Sequence, residues 1–198
     1  MEKEKVMLYT FSATCFLACI SCSLEKQVHS EKMFSLIPAS ESGIFFKNAI
    51  VERPQDFQIE LAYLYNGGGV GISDFNQDGL QDIYFTSNQS GDKLYLNLGD
   101  FKFKDVSSSA LINIYGGWKN GIAISDVNGD GLDDIYVCRG GSFENTADNE
   151  NLLFINQGNL TFIESAAKYN INDPGISISA VFFDLENDGD LDLYVTNR

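Results

Sequence analysis

The chain has 198 residues, 44% of them hydrophobic and 13% aromatic, a composition that excludes a disordered chain and allows one sizeable core or two small ones. Its 28 Asp and Glu against 13 Lys and Arg give a net charge of -15, which repels phosphate backbones and anionic lipid surfaces and argues against nucleic acid as a partner. Twelve of the acids fall in three nine-residue windows, a clustering that points to divalent cations.

In chain order, Met1 to Lys5 is charged and Val6 to Ile20 is apolar apart from small polar residues. A run of about 15 residues is short for a membrane span and suits the apolar stretch of a secretory signal. The Ser21-Cys22 that ends it resembles a bacterial lipoprotein processing site, which makes Cys22 the expected lipidated residue. Cys19, after Ala18, is the alternative, and a plain cleaved signal peptide is another. All of these readings place the mature protein outside the cytosol, lipid-anchored at a bacterial outer membrane or cell surface, or secreted. Three of the four cysteines (Cys15, Cys19, Cys22) lie in this segment, so the body, which holds only Cys138, cannot form an internal disulfide. Residues 23–42 are polar, mixed in charge and aperiodic, and read as a linker. They carry the only histidine, His29, expected to be solvated, which argues against His-based catalysis.

From residue 43 onward the chain repeats itself. The segment from Gly71 to Phe85 recurs from Ala123 to Val137, 52 residues on, and again from Val181 to Val195, a further 58 on. The shared pattern is Asp-x-(Asn or Glu)-x-Asp-Gly-x-x-Asp-(Ile or Leu)-Tyr-(Phe or Val), with the tyrosines at Tyr84, Tyr136 and Tyr194, although the third copy has Asp188-Gly189 followed by Asp190. Strand signals lead into each loop at residues 69–73, 121–125 and 178–183, and out of it at 83–86, 135–138 and 193–196. A second hairpin follows in the first two units: Leu94 to Asn97, Gly99, then Phe101 to Phe103, and Leu153 to Asn156, Gly158, then Leu160 to Phe162. Four strands per unit at this period predict an all-β propeller blade, about three of them here. The polar stretch 140–151 is expected to be a surface loop.

The loops present oxygen ligands at alternate positions, which suits calcium, a hard cation that takes six to eight of them; magnesium, with its stricter octahedron, suits them less. The expected ligands are Asp74, Asn76, Asp78, the Leu80 carbonyl and Asp82; then Asp126, Asn128, Asp130, the Leu132 carbonyl and Asp134; then Asp184, Glu186, Asp188, the Asp190 carbonyl and Asp192. Gly79 is expected to make the sharp turn of the first loop. An EF-hand begins the same way but needs a Glu at position 12 and flanking helices; here position 12 is Phe85, Val137 or Val195, between strands. A metal-free Asp/Asn/Gly hairpin is the bland alternative. Without a cation, the crowded carboxylates would repel one another, so folding of the loops is expected to be coupled to about three calcium ions. A glycosidase-like acid pair is disfavoured because the acids recur in every unit.

These loops with their flanking strands resemble the FG-GAP/VCBS repeat family, the calcium-loop blades also seen in integrin α-subunit heads. Gly43 to Asn48, Tyr65 to Val70, Leu94 to Asn97 and Phe183 to Asn197 are similar to its cartilage-acidic-protein (ASPIC/UnbV-type) branch, whose bacterial members include surface lipoproteins. The resemblance spans about residues 43–198 and implies a seven-bladed propeller with calcium loops on one rim. Three loops do not close such a ring, so the sequence reads as an N-terminal fragment of a longer chain.

As a binding module, the propeller would present loops, with 140–151 as a candidate contact, to an extracellular protein or glycan. The alternatives are a non-catalytic calcium-stabilised scaffold of a larger secreted hydrolase or lyase, and a calcium-rigidified spacer. No catalytic residue is assigned: the folded region offers no nucleophile with a histidine base. Cys138 is expected to be packed rather than reactive, and Trp118 and the tyrosines to be core rather than sugar platforms.

Overall fold

The alternation around each loop produces antiparallel strands in the computed structural model, which describes residues 33–51, 67–113, 116–140 and 149–198. The segment expected to be a secretory signal with a lipidated cysteine, including Cys19 and Cys22, lies outside the described residues, as does His29. The secondary structure belongs to one compact unit, Ile37–Arg198. The first sheet is a meander of β1 (Val70–Ser73), β2 (Asp82–Phe85), β3 (Lys93–Asn97) and β4 (Phe103–Asp105), paired in that order. The second repeats it with β5 (Lys119–Ser125), β6 (Asp134–Arg139), β7 (Leu152–Asn156) and β8 (Phe162–Glu164). The third pairs β9 (Ser177–Phe183) with β10 (Asp192–Asn197) alone. Among the described residues the architecture is therefore two four-stranded antiparallel sheets and a two-stranded one, and no sheet closes on itself.

The registers repeat as the sequence does: Tyr84 faces Gly71, Tyr136 faces Ala123, and Tyr194 faces Val181. The fourth strand of each sheet starts later than the sequence suggests. Asp100-Phe101 and Asn159-Leu160 take left-handed φ values of 50° to 55° in the preceding turn, so Phe101 and Leu160 are turn residues. The bonds Leu98 N–H to Lys102 O and Gln157 N–H to Thr161 O, both 2.8 Å, close these turns.

Packing follows the two-residue period. Ile135 and Val137 of β6, with Phe154 of β7, pack against Phe75, Tyr84 and Leu94 of the first repeat. The alternate residues Tyr136, Cys138, Leu153 and Ile155 pack on Phe182, Leu193 and Val195 of the third. The second sheet is thus buried on both faces, which is why β6 from Ile135 to Cys138 and β7 from Leu152 to Ile155 are hydrophobic without interruption. Tyr84 and Tyr136 are fully buried, whereas Tyr194 is 62% exposed, because no further sheet covers that face among the described residues. The far side of the first sheet is covered by the segment after residue 43, where the Phe46 ring stacks on Phe85 at 4.8 Å.

That segment is entered through a helical turn, α1 (Ala39–Ser42), which Gly43 ends with φ 78° and an N–H bond to Ala39 O. The stretch read as a linker therefore joins the folded unit before residue 43. Farther on, α2 (Ala166–Tyr169) follows β8 and ends on Asn170 with φ 57°.

The first strands of successive sheets approach closely through glycine. A Cβ on Gly121 would lie 2.5 Å from Ile178 O and 3.0 Å from Ser179 Cα, both backbone atoms of β9 that cannot rotate aside. Gly121→Ala is expected to push the second and third sheets apart at a cost of about 1–3 kcal/mol, read as a lowered urea midpoint.

Candidate metal centre

The three acidic loops are built alike. In the first, the Asp74 carboxylate accepts the N–H of Asp78 (3.0 Å) and of Gly79 (2.7 Å). In the second, Asp126 accepts from Asp130 (3.1 Å) and Gly131 (2.7 Å). In the third, Asp184 accepts from Asp188 (3.1 Å) and Gly189 (3.0 Å). The chain curls around the first carboxylate of each loop, and Gly79, Gly131 and Gly189 supply the left-handed turn, with φ of 85° to 95°. A second left-handed residue, unforeseen from the sequence, precedes them at Gln77, Gly129 and Asn187 (φ 58° to 73°). The recurring Gly and Asn at two of these positions were the available signal.

The middle positions also repeat. Asn76 Nδ2 donates to Asp78 (2.9 Å) and Asn128 Nδ2 to Asp130 (3.0 Å). The N–H groups of Leu80 and Leu132 donate to Asp78 and Asp130 at 2.8 Å, and that of Asp190 donates to Asp188 at 3.3 Å. Asn128, Asp130, Glu186, Asp188 and Asp190 are exposed. In the third loop Asp190 is held above the ordinary carboxylate value, because it shares a hydrogen bond with Asp188 and meets its charge.

The ninth-position acids stand apart. Asp82 and Asp134 are fully buried. Asp82 accepts the N–H of Phe75 (3.2 Å) and of Asn97 (2.8 Å), and Asp134 those of Val127 (3.0 Å) and Asn156 (2.8 Å). Each ties its loop to the following hairpin, a role that the repeat pattern alone did not disclose. Burial pushes the Asp134 carboxyl up to about 6, against the pull of its two N–H bonds and with added repulsion from Asp130 and Asp126. Asp82 is raised for the same reasons. Asp192 accepts the Leu185 N–H at 3.0 Å.

The first two loops lie side by side. Gln77 Nε2 donates to Gly131 O (2.6 Å), Ser73 Oγ bonds the Asp133 carboxylate, and Asn156 Nδ2 reaches Phe75 O (3.0 Å). Among the described residues, no three His, Cys, Asp or Glu side chains stand close enough together to hold a metal ion as they are arranged. The first and ninth carboxylates of each loop are taken up by backbone N–H groups. The donor set is nonetheless oxygen only, in one order and on one backbone shape in all three loops, which in kind suits a hard cation. Drawing the donors onto a single ion requires side chains such as Asp126, Asn128 and Asp130 to turn from those N–H groups.

Of the remaining sequence candidates, Cys138 is buried, and burial pushes its thiol up to about 12, a packed rather than a nucleophilic cysteine. Trp118 is half-buried beside β5. Residues 141–148 of the expected contact loop lie outside the described residues, while Asn149 and Asn151 at its end are buried rather than on the surface. Asn151 Oδ1 accepts the Arg139 N–H (2.7 Å), and its Nδ2 donates to Tyr136 Oη (3.0 Å) and Ser177 Oγ (2.8 Å), so the interior consumes it.

A family model described as FG-GAP-like repeat matches residues 74–137 and 139–195, more than half of the chain; the first match starts at Asp74 of the first loop and spans the second, and the second match spans the third loop. Among curated proteins the chain finds no match.

Proposed function

Because the chain belongs to the FG-GAP-like repeat family, we propose that it is a calcium-stiffened, propeller-type module at the cell surface that binds an extracellular protein or glycan. The observation that carries this reading is the recurrence of one hydrogen-bonded circuit in three loops: a first carboxylate held by two backbone N–H groups, with exposed oxygen donors beside it. An acid pair built for catalysis has no reason to recur; a cation site that stiffens each repeat does. Calcium would be held by the oxygens of Asp74, Asn76 and Asp78, of Asp126, Asn128 and Asp130, and of Asp184, Glu186 and Asp188, with the Leu80, Leu132 and Asp190 carbonyls. Asp82, Asp134 and Asp192 complete the sets. When bound, the ion supplies positive charge that relieves repulsion such as that between Asp188 and Asp190.

The finer reading places the chain in the cartilage-acidic-protein branch, as the first blades of a seven-bladed ring carried on a lipidated Cys22. The module is read as non-catalytic.

Titrating the metal-stripped chain with calcium by calorimetry tests this reading. About three ions are expected to bind per chain, and about two to Asp126→Ala, because that substitution removes the carboxylate around which its loop curls. Magnesium is expected to bind far more weakly. Absence of calcium binding to the folded chain would overturn the calcium reading.

A further inference from the structure

The second repeat carries a groove of about 530 Å³ between its acidic loop, the strand pair β7–β8 and α2. That volume falls within the roughly 300–1,000 Å³ of small-ligand clefts. Its apolar surface includes Leu132, Ile155 and Ile163, and Ile163 is 54% exposed. Around this surface stand Asn128, Gln157, Glu164, Lys168 and Tyr169.

Three features separate the groove from ordinary surface. Lys168 has no carboxylate within ion-pair distance among the described residues, in a chain of net charge -15; its ammonium lies 5.6 Å from the Tyr169 ring centre instead. Glu164 anchors the groove wall through one oxygen, Oε1, which accepts the N–H groups of Leu153 (3.3 Å) and Ala166 (2.8 Å), leaving Oε2 without a protein partner among the described residues. The groove is also particular to this repeat. Aligning β7 with β3 places Ser109 and Ala110 of the first repeat at the positions of Lys168 and Tyr169, and Ala110 is fully buried there.

We propose that this groove is a binding subsite for a short stretch of neutral polysaccharide. A sugar ring offers an apolar face, suited to Leu132 and Ile163, and an edge of hydroxyls that both donate and accept. The rim supplies the complement of both: Glu164 accepts, Lys168 donates, and the Gln157 amide does either. An anionic glycan would meet Glu164 and the loop carboxylates, and a strongly cationic peptide would meet Lys168. The proposal rests on reading the chain as a binding module and assigns that binding to one place.

The test is affinity electrophoresis of the full chain, with millimolar calcium, through gels containing xylan, galactan, β-glucan, alginate or gelatin. Retardation by at least one of the three neutral polysaccharides is expected. Lys168→Ala with Gln157→Ala, two exposed side chains outside the core, is expected to weaken it roughly fivefold or more while leaving the melting temperature unchanged. Ile163→Arg, which fills the groove, is expected to abolish it. Retardation by alginate alone or gelatin alone would overturn the neutral-sugar assignment, and so would neutral-glycan binding that survives all three substitutions. Calcium titration of the same samples separates the two readings: calcium binding without retardation sinks the groove and leaves the module standing.

Discussion

Replacing Lys119 with methionine is expected to destabilise the folded chain by about 3–5 kcal/mol, because it strands a buried carboxylate. Lys119, at the start of β5, and Asp92, just before β3, are both completely buried, and their charges meet at 3.1 Å across the boundary between the first two repeats. Asp92 also accepts the Ser87 N–H (2.9 Å) and the Tyr84 hydroxyl (2.8 Å), and Lys119 Nζ donates to Ser87 O (3.3 Å). Burial raises Asp92 and lowers Lys119 from their ordinary values, so each ion depends on the other to remain charged. The next boundary shows the same frame without charge. Asn151 occupies the place of Asp92, taking the Arg139 N–H and bonding the Tyr136 hydroxyl, and Ser177 occupies the place of Lys119.

Combining Lys119→Met with Asp92→Asn is therefore expected to recover about 2 kcal/mol or more of the loss, since the amide still accepts the Ser87 N–H and can donate to Tyr84. Urea unfolding of the four forms measures the coupling. The sign with pH is fixed as well. A carboxyl whose folded value is raised binds its proton more tightly folded than unfolded, so the penalty of the single variant should shrink as the pH falls through the range above 3.8. Equal losses in the single and double variants would show that the charge pair is not what holds the boundary.

Much of the fold was legible because the loops punctuate it. Asp-x-Asn-x-Asp-Gly followed by a period-2 apolar run fixes both the strand that leaves the loop and, through Tyr84 facing Gly71 and Tyr136 facing Ala123, the register of the strand that enters it. The fourth strands were misplaced because Phe101 and Leu160, apolar and beside a glycine, look like strand residues, whereas the turns need two left-handed residues after Gly99 and Gly158. The buried polar boundary was invisible. Nothing local marks Lys119 or Asp92 as interior, and their pairing emerges only when two sheets are stacked. For the site, spacing foretold which acids lie in the exposed loops. It could not tell an acid that faces solvent, such as Asp130, from one that is buried on two backbone N–H groups, such as Asp134.

That division of roles shapes the second large effect expected, a rise in stability with calcium. If each loop binds an ion only when folded, calcium at about 100 times its dissociation constant adds roughly 2.7 kcal/mol per site. For a chain of this size, each kcal/mol moves the melting temperature by about 2–4 °C, so one site is worth about 5–10 °C and three independent sites proportionally more. Asp130→Ala removes an exposed donor while keeping the Asp134 tie to Val127 and Asn156, so its metal-free stability should stay close to wild type while its response to calcium shrinks. The most direct measurement is thermal unfolding of the chain in millimolar calcium and in excess chelator, for wild type and Asp130→Ala. The account predicts a calcium-dependent rise of at least about 10 °C in wild type, reduced in the variant. A folded wild-type chain whose melting temperature is the same with calcium and with chelator would contradict it.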